Sequence, residues 1–180
     1  MGSVDPVFGW VVRLGLVLLF GAAALHKVRD LRAFTASVRD YRILPGAAAP
    51  LVARTLVAVE ISLVAALLVP AADPAGPLLA PALLGLYGAA IALNLARGRH
   101  IDCGCLGPAH RQPLTRWLLA RNGLLALGPI LLLLQDAQRP ASWIDTVSVL
   151  GGVAMLALLW SAAHQLAAAQ PALRAPGRSP

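Results

Sequence analysis

Long apolar segments make up most of the chain, and polar residues are concentrated between them. Five segments are long enough to cross the hydrocarbon core of a bilayer, for which a helix needs about 20 residues. They cover residues 7–25, 48–69, 77–96, 114–134 and 144–169. A membrane-spanning segment must satisfy its own backbone hydrogen bonds, and no strand-like alternation is present. The pattern predicts an all-α, polytopic membrane helical bundle with four core transmembrane helices and a fifth, weaker one.

The connection between the first two segments has a helical pattern of its own. Between residues 25 and 44, apolar side chains recur at spacings of three and four, and charged side chains occupy the other face. This spacing predicts an amphipathic helix in the membrane interface, which Pro45 ends. A solvated basic loop is the alternative interpretation.

The C-terminal part of the chain carries the weakest pattern. His164 and Gln165 interrupt the fifth segment, and residues 170–180 are rich in Pro, Arg and Ala. We therefore expect one transmembrane domain over residues 1–169, followed by a disordered tail over 170–180.

The composition excludes most soluble classes. Of the 180 residues, 58% are apolar and only 13% are charged, whereas a soluble domain has about 25% charged residues. The net charge of +7 comes from basic residues between the apolar segments, where they determine topology and face anionic lipid. Since no nucleic-acid motif accompanies them, we expect membrane lipid as a partner and no nucleic acid.

The basic residues also predict an orientation. Eleven lie in the first loop, the third loop and the tail, and one lies on the opposite side. This bias predicts a multi-pass protein of a bacterial-type inner (cell) membrane, with its N-terminus outside and its C-terminus cytoplasmic. It also places the chain's two cysteines on the cytoplasmic side, although disulfide-forming sites normally work on the oxidising side.

The candidate chemistry is concentrated in residues 97–107. Cys103 and Cys105 are the chain's two cysteines, and one glycine separates them. Such a pair can close a small disulfide ring, and thiol–disulfide exchange proceeds through a thiolate. Positive charge from Arg99 favours the thiolate, and Asp102 opposes it. The alternatives are inert cysteines or a soft-metal site, but the spacing of the available ligands is not that of a usual metal site, so we predict none.

A second candidate is Glu60, which lies near the middle of the second segment. A carboxylate at that depth is costly unless it is neutral or paired. The candidate partners are polar residues of the other segments, namely Arg13, Asn94, Arg121 and Asn122. A structural clamp and a proton-handling role are equally compatible with this pattern.

The first segment ends at His26 and Lys27, which follow residue 25 directly and lie at the predicted cytoplasmic interface. We interpret both as interfacial anchors rather than catalytic groups, because long polar side chains at helix ends commonly extend towards the headgroups.

The order of these features resembles the MauE family, which comprises DoxX-like, redox-associated membrane proteins of methylamine utilisation. The residues that carry the resemblance are His26-Lys27, Arg29-Asp30, Phe34, Tyr41, Leu44-Pro45, Glu60, the stretch from Gly98-Arg99 through Asp102-Cys103-Gly104-Cys105-Leu106-Gly107, and Arg121-Asn122. The similarity covers about residues 10–135. Leu106 stands where the family usually has Phe, and the fifth segment lies beyond the common core.

The resemblance implies that Cys103 and Cys105 are a redox pair. It also implies that four further residues match positions typical of the family, namely Lys27, Glu60, Arg121 and Asn122, without giving them a role. We therefore predict an integral membrane thiol–disulfide redox protein, a possible oxidoreductase. It would exchange electrons with a thioredoxin-like partner, a small thiol or a quinone during maturation of an exported protein. The alternatives are a soft-metal-ion or small-molecule transporter and a membrane scaffold or assembly factor.

Overall fold

A computed structural model describes residues 5–69, 74–99, 101, 115–133 and 142–173. Within these ranges the chain forms six α-helices, a short 3-10 turn at Gly46–Ala48 and no strand. The helices are α1 (Pro6–Arg29), α2 (Leu31–Asp40), α3 (Ala49–Leu68), α4 (Ala75–Ala96), α5 (Arg116–Leu132) and α6 (Trp143–Leu173). The predicted all-α bundle is confirmed.

Four of the described helical segments are long and apolar enough to cross a membrane. They are Val7–Arg29, Gly46–Leu68, Ala75–Ala96 and Trp143–Ala162. The predicted fourth segment forms α5, which has 17 residues and is therefore only about 26 Å long. The predicted fifth segment forms α6, which continues to Leu173 and so extends past the predicted boundary at residue 169.

The core lies where α1, α3 and α4 meet. α1 packs against α3 and α6, and α4 packs against α5 and α3. The buried side chains at the centre are Leu16, Phe20, Leu63, Leu67, Ala80, Leu83 and Leu84. Many equally large apolar side chains, such as Leu51, Leu124 and Leu158, are exposed on the outside. Outward-facing apolar residues in such numbers are the surface expected of a bundle surrounded by lipid.

The predicted amphipathic helix is α2, and Asp30 forms the junction with α1. The backbone N–H of Asp30 donates to His26, which closes α1, and its carboxylate accepts from the N–H of Ala33, which caps α2. α2 has no fully buried residue and packs mainly against α3. It therefore lies across one end of the bundle, with Arg42 at a positive φ of 45° shortly before α3 begins.

The close approach of α3 and α4 depends on Gly76. A Cβ atom at this position would lie 2.9 Å from Cδ2 and 3.3 Å from Cα of Leu67. We expect Gly76→Ala to destabilise the protein by about 1–3 kcal/mol, because a methyl group there forces the helices apart. The measurement is thermal unfolding in detergent, followed by tryptophan fluorescence.

Gly85→Ala in the same helix is the matched control, since a Cβ there meets nothing within 4 Å. It should leave the unfolding temperature unchanged or slightly raised. Equal effects of the two substitutions would contradict the proposed contact.

Candidate functional site

A buried cluster of Lys27, Glu60 and Tyr87 joins three helices. The Lys27 ammonium forms a salt bridge with Oε1 of Glu60. The Tyr87 hydroxyl donates to the same oxygen at 2.7 Å and accepts from Lys27 Nζ at 3.3 Å. Lys27 is 4% exposed and Glu60 is fully buried. We call this group the Lys27–Glu60–Tyr87 cluster, and it ties α1, α3 and α4 together.

Aromatic rings surround the buried ammonium. Nζ of Lys27 lies 4.9 Å from the ring centroid of Phe34 in α2 and 4.9 Å from that of Tyr87. An ammonium over a ring face is attracted by the ring's quadrupole, more strongly where water is excluded. Lys27 also lies in the last turn of α1, where the helix dipole favours a cation. These contacts compensate part of the cost of burying the charge.

One oxygen of the cluster has no partner. Oε2 of Glu60 is buried and accepts no hydrogen bond from any described residue. A buried acceptor without a donor costs about 1–3 kcal/mol, and more when it is charged. Such an oxygen is therefore a place where a proton or a donor group would bind favourably.

The predicted need of Glu60 for a partner is confirmed, but the partners suggested by the sequence are wrong. Within the described ranges Glu60 bonds to Lys27 and Tyr87, and to none of Arg121, Asn122 and Asn94. The guanidinium carbon of Arg121 instead lies 5.1 Å from the ring centroid of Trp160 in α6.

Asn122 and Arg13 do not reach the cluster either. Asn122 is buried and lines a groove of small residues between α4 and α5. Arg13 lies near the start of α1, more than three helical turns before Lys27, at a different level of the bundle from the cluster.

The two residues predicted as interfacial anchors differ in position. His26 is exposed and lies outside the cluster, as expected for an interfacial residue. For Lys27 the interpretation is wrong, because its side chain turns into the bundle to meet Glu60. A buried carboxylate left without a cation is strongly destabilising, and the Lys27 ammonium supplies the opposite charge that Glu60 needs.

A second network, made of hydrogen bonds, lies where α4 ends, at the end of the bundle that carries α2. Nη1 of Arg99 donates to the backbone carbonyl of Tyr41 at 3.1 Å and to Oδ1 of Asn94 at 3.2 Å. Nearby, Nη1 of Arg97 donates to the carbonyl of Arg42 at 3.3 Å. These bonds fasten the chain that leaves α4 to the C-terminal end of α2.

The next described residue after Arg99 is Ile101, which packs against the buried cluster of Ile91 and Leu118, as Tyr41 does. Ile101 is therefore held against the cluster that α4 and α5 form. Cys103 and Cys105, with Asp102, follow Ile101 in sequence and lie outside the described residues. The polypeptide that leads to the cysteine pair is thus anchored at the end of the bundle that carries α2.

A cavity of about 170 Å³ lies between α2, α3 and α4, and we call it the α2 cavity. Its polar lining comes from Lys27, Ser37 and the two tyrosines Tyr41 and Tyr87. The other lining residues are apolar, namely Phe34, Val38, Ile43, Leu44, Val52, Leu56, Leu86, Ala90 and Ile91. The cavity is therefore an apolar space with a cation and a hydroxyl at one wall.

Sequence reasoning did not assign a role to Tyr87 or to a cavity. Tyr87 stands in a span that otherwise consists largely of Leu, Ala and Gly. A phenol in the middle of such a span needs a hydrogen-bond partner, and that requirement was the available signal. Phe34 was named only among the residues that carry the family resemblance.

Fold and site together define a small multi-pass helical membrane protein with a buried ion pair. Its α4 and α5 are joined by a cysteine-bearing connection, the segment that contains Cys103 and Cys105. The family model of methylamine utilisation protein MauE matches residues 5–135. The chain therefore belongs to the MauE family, as its sequence pattern suggested.

Individual MauE proteins are similar to this chain over most of its length. The chain is 41% identical over 161 residues to a MauE from Paracoccus denitrificans, covering 87% of this chain and 86% of the relative. It is 38% identical over 166 residues to one from Paracoccus versutus, covering 90% and 88%, so the similarity reaches past residue 135 into α6. A MauE from Methylophilus methylotrophus is 34% identical, covering 88% of this chain and 85% of the relative. No solved structure matches.

Proposed function

We propose that this protein is a membrane thiol–disulfide redox protein in which Cys103 and Cys105 cycle between dithiol and disulfide. The observation that carries the proposal is the anchoring of the chain before them, through Arg99 to Tyr41 and Asn94 and through Ile101 to the helix ends. A redox pair must be presented in a fixed geometry, because exchange depends on access to a defined sulfur.

The chemistry of the pair is a two-step exchange. In the oxidising direction, a partner thiolate attacks one sulfur of the Cys103–Cys105 disulfide and forms a mixed disulfide. The partner's second thiol then attacks that bond, so the partner leaves as a disulfide and both cysteines become thiols. Two electrons and two protons pass from the partner to this protein. A thioredoxin-like dithiol protein fits that role, as do two molecules of a small thiol, the second of which attacks the mixed disulfide.

The surrounding residues have supporting roles in this proposal. Arg99 is a positioning residue, and its positive charge four positions before Cys103 favours the thiolate. The Lys27–Glu60–Tyr87 cluster holds α1, α3 and α4 together. Five further positions remain candidates for a supporting role. Asp102 is next to Cys103 in sequence, and the others lie in helices, namely His26, Asn94, Arg121 and Asn122.

The names of the relatives suggest the biological context. They are called methylamine utilisation proteins, and on that basis we place this chain in methylamine utilisation. The family resemblance adds the proposal that it acts in the maturation of an exported protein. The excess of basic residues in the first loop, third loop and tail supports an inner-membrane protein with its C-terminus in the cytoplasm.

Thiol trapping in native membranes tests the redox proposal. We expect acid-quenched, maleimide-labelled wild-type protein to contain a fraction with an internal disulfide, because the cycle passes through that state. Single Cys103→Ser and Cys105→Ser variants should lose it. In the reverse exchange, the cysteine that remains in a single variant can attack a partner disulfide, and the mixed disulfide should then accumulate because the second cysteine that would resolve it is missing.

The double serine variant is the control and should show neither species. A wild-type protein that never yields an internal or mixed disulfide would refute the redox function. Stoichiometric metal bound through the cysteines would instead favour a transporter or metal handler. Full cellular activity of the double serine variant would favour a scaffold.

A further inference from the structure

We propose that the α2 cavity binds the ring of a membrane quinone, which accepts the electrons of the Cys103–Cys105 pair. This inference rests on the redox function proposed above and names its electron acceptor. The juxtaposition that supports it is an apolar cavity, with a buried ammonium and a phenol at its wall, beside the anchor of the cysteine-bearing connection.

The size and lining of the cavity fit a planar ring. Its volume is about 170 Å³, and an apolar cavity of about 150 Å³ is already large enough to bind benzene. Phe34 and Tyr41 contribute aromatic surfaces, and aliphatic side chains form most of the remainder. Stacked or edge-on contact with aromatic rings favours another flat ring over a flexible chain.

The cavity also has an opening for a tail. Ile43, Leu44 and Leu86 line it, and they are 41%, 49% and 55% exposed on the surface of the protein. The cavity therefore continues to an apolar outer surface that lipid surrounds. An isoprenoid tail could follow this surface while the ring occupies the interior.

Lys27 supplies the donor that a quinone carbonyl needs. An ammonium has three protons, and the bonds of Lys27 to Glu60 and Tyr87 use two of them. The third can point to a carbonyl oxygen in the cavity, whose wall Lys27 forms. A buried cation beside the ring stabilises the negative charge that reduction places on the quinone oxygens.

Other occupants fit less well. An acyl chain has no acceptor for the Lys27 donor, and the described residues that line the cavity include no carboxylate, thiol or imidazole that would hold a metal ion. The chain has two cysteines, so it cannot pass electrons to a second pair of its own. The occupant must therefore accept a hydrogen bond from Lys27 and take up the two electrons of the cysteine pair. A quinone dissolved in the membrane does both.

The cavity and the cysteine-bearing connection share residues. Tyr41 lines the cavity and accepts from Arg99, and Ile91 lines it and contacts Ile101. In the proposed step two S–H bonds break and one S–S bond forms. The two electrons and two protons released reduce both quinone oxygens to hydroxyls, giving the quinol.

The test measures binding of a short-chain ubiquinone with one isoprene unit to the purified full-length protein in nanodiscs. We expect saturable binding of about one molecule per chain, and photolabelling by the azido derivative within α2 or α4. Ala90→Phe fills the cavity and should weaken binding at least tenfold. Val52→Phe, from the α3 wall, is the second variant in case the first does not fold.

Ala82→Phe is the matched control, because Ala82 is an exposed residue of the same helix and lines no part of the cavity. It should bind quinone as the wild type does. Absence of saturable binding, or binding unchanged in both filled variants, would overturn the quinone site. Displacement of the probe by phospholipid alone would also overturn it.

Thiol trapping on the same samples separates the two proposals. Cysteines that cycle without quinone binding would refute the cavity and leave the redox function intact. Quinone binding that Ala90→Phe abolishes, in a protein that never forms a disulfide, would support the cavity and refute the redox function.

Discussion

Lys27→Met is expected to destabilise the bundle by about 3–5 kcal/mol, because it removes the cation from a fully buried Glu60. The carboxylate would retain the Tyr87 hydroxyl as its donor, and one hydrogen bond does not compensate a buried charge. The measurement is reversible unfolding of the purified protein in mixed micelles with increasing SDS. Lys27→Arg, which keeps the charge, should lose much less.

The double variant Lys27→Met/Glu60→Leu provides the control for this prediction. Replacing a buried ion pair by apolar side chains of similar size is often neutral or stabilising. We therefore expect the double variant to regain most of the stability that the single variant loses. A single variant as stable as the wild type would mean that the ion pair does not hold the three helices together.

The same double variant distinguishes the two roles of Glu60 that the sequence left open. A structural clamp predicts that a stable double variant still forms and transfers its disulfide. A proton-handling role predicts a stable protein with impaired transfer, since Oε2 of Glu60 is the buried acceptor without a partner among the described residues. Stability, thiol trapping and quinone binding on one sample therefore separate the two, because impaired transfer points to Glu60 only where quinone binding survives the loss of the Lys27 donor.

The sequence predicted the helices well because membrane helices depend on segment length and hydropathy alone. Each of the five apolar segments corresponds to a helix, and the amphipathic spacing between the first two predicted α2. The ends were less accurate, as in α6, because a helix can continue past the point where its hydropathy falls. A helix that leaves the apolar region still satisfies its own backbone hydrogen bonds.

The site was predicted only in part, because pairing is a property of the three-dimensional arrangement. Hydropathy identified Glu60 as a residue that needs a partner, but it cannot show which helices are neighbours. Lys27 lies at a helix end, a position that fits an interfacial anchor as well as a buried cation. Arg121 appeared equally suitable, yet the fold places it beside Trp160.

The cavity could not be predicted, because a sequence does not show how α2, α3 and α4 pack around a space. The apolar spacing over residues 25–44 predicted an amphipathic helix. The structure shows that α2 packs on α3 and that its apolar side chains also line the space between α2, α3 and α4. An amphipathic pattern indicates which side of a helix is covered, and only the fold shows how completely.

Arg99→Gln is expected to slow re-formation of the Cys103–Cys105 disulfide about tenfold or more, with little change in the stability of the bundle. The substitution removes the guanidinium that bonds both the Tyr41 carbonyl and Asn94. A hydrogen bond to a charged group contributes about 1.5–3 kcal/mol, and each 1.4 kcal/mol corresponds to a factor of ten. Partial loss of this anchor therefore suffices for the expected effect.

The rate is measured after reduction with dithiothreitol and its removal, by timed maleimide trapping in membranes. Arg97→Gln is the matched control, because Arg97 is exposed and makes a single, longer bond to Arg42. It removes the same charge from the same connection and should slow the reaction much less. If both variants slow it equally, positive charge rather than positioning governs the cysteine pair, and the anchoring argument for the redox site fails.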